Sequence, residues 1–117
     1  VGIFGAGLIA AGLFTTDPEN GVPVDTPDGP VAQMSWHAVV HSAAAAVAFT
    51  ALAIAAIALT VRCVRRRAVL PAVLNGAAAL VLLLPMSPDH VSIQIVVNGL
   101  VAFTWTTAVA LWLRRSA

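Results

Sequence analysis

The chain has 117 residues, of which 60% are hydrophobic and only 9% charged, with a formal net charge of +1. Soluble domains carry roughly 25% charged residues, so this chain lacks the charge to cover a water-facing surface, and its mean hydropathy of +0.94 excludes an ordinary soluble enzyme or binding module. A single cysteine, Cys63, excludes an intrachain disulfide.

The natural solvent for such a chain is lipid, where a backbone must satisfy its own hydrogen bonds. Long apolar runs without period-two alternation favour helices over a barrel. The predicted class is therefore all-α, a transmembrane helical bundle forming one integral membrane domain over residues 1–117. The placement of charge orients it. Every basic residue is arginine, in two clusters at Arg62 to Arg67 and Arg114 to Arg115, and the acids Asp17, Glu19, Asp25, Asp28 and Asp89 lie elsewhere. Arginine clusters and acidic loops alternate with apolar runs between them. By the positive-inside rule the arginines are cytoplasmic and the acidic loops external.

Residues 1–14 form the first apolar run, rich in Gly and Ala. At ~1.5 Å per residue they reach about 21 Å, short of a hydrocarbon core of roughly 30 Å. This, with the absence of an initiator Met, leads to the expectation of a truncated first span in the C-terminal part of a longer protein. A signal peptide is the rival reading, but no basic residue precedes the run. Residues 15–33 form an external loop, marked by the turn signals Asp17-Pro18, Asn20-Gly21 and Asp28-Gly29-Pro30.

Residues 34–61 form the second span, whose many alanines favour helix and smooth packing in lipid. Its length places Trp36 and His37 in the headgroup zone. A cytoplasmic loop, 62–67, holds R-C-V-R-R-R. There Cys63 reads as a reduced thiol, with palmitoylation as the alternative, and the arginines set topology or attract anionic lipid. The third span, 68–84, begins with Pro71 in its first turn and ends at Pro85 and Pro88. The fourth, 91–113, forms an antiparallel hairpin with it. Gln94, Asn98, Trp105 and Trp112 recur on one side of that span, and Asn75, Gln94 and Asn98 read as helix-to-helix hydrogen-bonding residues.

Candidate chemistry gathers near the external loop. His37 and His41, spaced i, i+4, project from one helix face. Such a pair can ligate a metal or relay protons, although H-A-V-V-H lacks the glutamate base of H-E-x-x-H. Its structural alternative is a pair that hydrogen-bonds loop backbone or neighbouring helices. Asp17 can orient either histidine as a carboxylate partner, or it can form a turn with its own backbone. The acids of the loop do not fit calcium-loop spacing. No P-loop, dinucleotide fingerprint or G-x-S-x-G is present, no serine stands in a nucleophile motif, and no cofactor is expected. Nucleic-acid binding is disfavoured, because the arginine cluster has no aromatic platform beside it.

The run G-L-F-T-T-D-P at Gly12 to Pro18, the Gly/Pro-rich loop after it, then H-A-V-V-H and an apolar run containing Phe49 together resemble the domain-of-unknown-function 998 family of prokaryotic multi-span membrane proteins. The resemblance implies a bundle of about six spans in roughly 200 residues, with ~20 residues per span, and so further helices before Val1. It implies no chemistry.

The resulting expectation is a multi-pass protein of a bacterial cell membrane, of unassigned biochemical function, with a polar cluster near its outer face. Its partners are the lipid bilayer and other membrane helices. The alternative is a membrane-embedded metal-binding enzyme or transporter component that uses Asp17, His37 and His41.

Overall fold

The computed structural model describes residues 1–19, 21–87 and 89–117. It is all-helical, with four helices, α1 (Gly2–Leu13), α2 (Trp36–Arg65), α3 (Val69–Leu83) and α4 (Val91–Ser116), and no strand among the described residues. The molecule is elongated, 51 × 25 × 19 Å. Two helices, α2 and α4, are long and apolar enough to cross a membrane; α1 and α3 are shorter apolar helices.

Helix α2 is the spine, packing against α1 and α3, and α4 packs on α3. The reason is its residue sizes. Ala48, Leu52, Ala53 and Ala56 are fully buried, and alanine lets helix backbones approach closely. Gly7 of α1 makes the tightest approach: a methyl built there would stand 2.6 Å from the Ala48 Cβ and 2.9 Å from the Ala44 carbonyl oxygen. The larger core residues fill what the small ones leave open. Phe4 packs edge-on against Phe49 of α2 and Phe103 of α4, at centroid distances of 5.9 and 6.0 Å, favoured geometry for aromatic pairs.

The ends of α2 differ. At its start Ser35 is the N-cap, its hydroxyl accepting from the Ala38 N–H at 3.2 Å. At its end the chain closes a Schellman turn. The Ala68 N–H donates to the Cys63 carbonyl at 2.9 Å and the Arg67 N–H to the Val64 carbonyl at 3.0 Å. Arg67 holds the left-handed position, with φ 55°, where glycine is usual. The helix thus continues beyond the apolar run that ends at Val61, because arginine is a good helix former.

Asn75, Gln94 and Asn98 face the bundle or the α3–α4 turn. The Trp105 indole N–H donates to Asn75 Oδ1 at 2.8 Å, and Asn75 Nδ2 donates to the Pro71 carbonyl at 2.7 Å. Gln94 accepts from the Ser87 N–H at 2.6 Å and donates to the Pro85 carbonyl at 3.1 Å. Asn98, 6% exposed, is a buried polar residue of the bundle.

Candidate functional site

Where α1 ends and α2 begins, each helix terminus is satisfied by the other segment. A helix leaves its last carbonyls without intrahelical donors. For α1 the missing donor comes from α2: His41 Nδ1 lies 2.7 Å from the Ala11 carbonyl oxygen and 2.8 Å from that of Phe14. Carbonyl oxygens only accept, so Nδ1 carries the proton and shares it between them.

The start of α2 is held in return by the chain leaving α1. The Ser35 hydroxyl donates to Asp17 Oδ1 at 2.5 Å, and the Ser35 backbone N–H donates to Asp17 Oδ2 at 2.6 Å. In a capping box a glutamate at the third helical residue takes the N-cap backbone N–H. Here that residue is Ala38, and Asp17 reaches across from the loop to do the same. Its carboxyl is held below the usual carboxylate range, first by the Ser35 hydroxyl, then by the Ser35 N–H and the nearby His37. Charge-assisted bonds of this kind favour the ionised form.

His37 sits apart from these bonds. It is exposed on the first turn of α2, in an aromatic group with Phe14 and Trp36. Ring centroids lie 5.9 Å from His37 to Phe14 and 5.8 Å from Phe14 to Trp36. Thus the two histidines share a helix face, but His41 turns to α1 carbonyls and Asp17 turns to Ser35. Among the described residues no three His, Cys, Asp or Glu side chains gather as a metal site.

Ser35 is the member of this arrangement that the sequence reading passed over. Its signal is a serine directly ahead of a long apolar helix, the ordinary N-cap mark. The rest of the loop is tied to itself: the Val31 N–H donates to Glu19 Oε2 at 3.0 Å, and Gly21 and Gly29 take positive φ in its turns. At the same end, Asp28 of the loop and Asp89, His90 and Ser92 at the start of α4 line an open hollow.

The far end differs in character. Between α2, α3 and α4 lies a cavity of about 220 Å³, lined by Leu59, Cys63, Leu74, Trp105 and Trp112 among others. Cys63 is 9% exposed, turned into this wall.

A family model described as protein of unknown function, DUF998, matches residues 1–114. The chain belongs to the DUF998 family. Among curated proteins and solved structures none matches it. Family membership agrees with the resemblance carried by Gly12 to Pro18 and the histidine pair, and it assigns no activity to the Asp17–Ser35–His41 arrangement.

Proposed function

We propose that this DUF998 chain is the lipid-embedded body of a multi-pass cell-membrane protein, with its arginine end in the cytoplasm. In this reading Asp17, Ser35 and His41 form a structural clasp that closes the external loop onto the bundle. The observation that carries the membrane reading is apolar exposure. A core helix in a soluble protein is mostly buried, but the apolar windows of α2 and α4 are only 22% and 17% buried. Leucines and isoleucines stand open all along the rod: Ile54 is 61% exposed, Leu80 67% and Leu100 65%. So large an apolar surface marks a lipid or protein contact. The hydroxyls agree. Thr60, Thr106 and Thr107 each donate to the carbonyl four residues back, at 2.7–2.8 Å, which spares them a partner that lipid cannot supply.

The clasp reading rests on His41 Nδ1 being committed to two carbonyls and both Asp17 oxygens to Ser35. Alkaline carbonate extraction tests the membrane reading: the protein stays with the membrane pellet, and release into the supernatant contradicts it. Elemental analysis tests the clasp. Replacing His37 and His41 together by Ala lowers stability in detergent and leaves metal content unchanged. Stoichiometric zinc, iron or copper that disappears with His41→Ala instead makes Asp17, His37 and His41 the metal site of an enzyme or transporter component.

A further inference from the structure

We propose that the cavity between α2, α3 and α4 holds an acyl chain of an anionic phospholipid from the leaflet bordering the arginine ends. The proposal rests on the membrane reading above. Three observations carry it.

The first is the chemistry of the wall. Its Asn75 and the Trp105 indole spend their polar atoms on each other and on the Pro71 carbonyl, so they offer little to a polar solute. Leu59, Leu70, Leu74 and Ala108 supply hydrocarbon. An apolar lining of this kind favours apolar guests.

The second is size. The cavity measures about 220 Å³. A cavity of this size has room for several water-sized groups, and so for a short run of methylenes. That is part of a fatty chain.

The third is charge. The cavity lies at the end where all six basic residues of the protein stand. Cys63 in its wall is followed by Arg65, Arg66 and Arg67, and Trp112 by Arg114 and Arg115. Arg115 lies three residues past Trp112, on the same side of α4. None of the five acids shares this end. Trp112, 46% exposed, is the residue type that favours the boundary between hydrocarbon and headgroups. An apolar slot bounded by an indole, on helices whose chains run on into arginines, matches the order of chain, glycerol region and phosphate in a phospholipid. A guanidinium matches a phosphate with paired donors.

The fluorescence of Trp105 and Trp112 reads occupancy directly. A Trp36→Phe variant leaves these two as the only tryptophans. It is reconstituted in phosphatidylcholine vesicles containing a minor fraction of either phosphatidylglycerol or phosphatidylcholine brominated on the acyl chain. Quenching by the brominated phosphatidylglycerol is expected to show an apparent affinity about fivefold higher for each arginine engaged, the preference one arginine gains at an anionic surface. Ala108→Phe, which fills the slot from an exposed position, abolishes that preference. So does the pair Arg67→Gln and Arg115→Gln, which leaves the packing intact. Equal quenching by the two lipids overturns the proposal. So does a preference that survives Ala108→Phe, since surface attraction alone then explains it. Failure of the protein to float with the vesicles overturns the membrane reading itself; flotation with equal quenching removes only the lipid site.

Discussion

The two ends of this bundle solve the problem of exposed polar groups in opposite ways. At the acidic end, side chains from one helix satisfy the backbone of the next: His41 takes the last carbonyls of α1, and Asp17 takes the N-cap of α2 through Ser35. At the arginine end the backbone closes on itself through the Schellman turn at Arg67. An apolar cavity opens between α2, α3 and α4 at this end. Asp17, Ser35 and His41 are thus committed where the chain has a long loop to anchor. The apolar cavity lies at the end away from these polar side chains.

The contact that seats α1 on α2 is the most sensitive point of the acidic end. Gly7→Val forces side-chain volume against the Ala48 methyl and the Ala44 carbonyl, and overpacking of this kind costs about 3 kcal/mol. The expected result is a large fall in thermal midpoint in detergent, with α1 released; an unchanged midpoint would show that α1 is not seated on α2.

His41→Ala should be next in size. It leaves the Ala11 and Phe14 carbonyls without their donor, an omission worth about 1–3 kcal/mol. In the Trp36→Phe background, Trp105 and Trp112 fluorescence should not change, because the other end is independent of the clasp. A shift in that emission would tie the two ends together.

Acidification sharpens the same contrast. A free aspartate titrates near ~3.9, and Asp17 titrates lower in the folded chain. A depressed carboxyl contributes stability that is fully present above the unfolded value and lost as pH falls through the folded one. Detergent melts should therefore lose part of their stability below about pH 4. Asp17→Asn should start from a lower midpoint and show less of this loss. An identical acid limb in the variant would place the titrating group elsewhere.

The smallest effect lies at the other end and has the opposite sign. Arg67 holds φ 55°, a conformation that glycine adopts without steric cost. Arg67→Gly should stabilise the α2–α3 connection by about 1 kcal/mol, measured by the same melts, while removing one cation from the arginine end.

The helices were legible because apolar runs in this chain are interrupted only by proline clusters and arginines. The boundaries were less so. Residues 62–65 read as loop by charge, yet arginine propagates a helix well, and α2 runs to Arg65 before the left-handed turn stops it. The histidine pair and Asp17 were visible as types at suggestive spacing. Their partners were not, because Asp17 and Ser35 are 18 residues apart and His41 and Ala11 are 30 apart. No periodicity records a side chain that crosses from a loop to a helix end. The cavity was hidden for a related reason: Leu59, Leu74 and Ala108 are ordinary apolar residues until three helices leave a gap among them.

The account depends on the acidic and arginine ends facing opposite sides of one bilayer. Single cysteines at Thr26 in the loop and at Ser116 beside the last arginines, in a Cys63→Ala background, test this with a membrane-impermeant thiol reagent on intact cells. Labelling of the Thr26→Cys protein, with Ser116→Cys protected until the membrane is permeabilised, is the predicted result. Equal labelling of both, or labelling of Ser116→Cys alone, would contradict it.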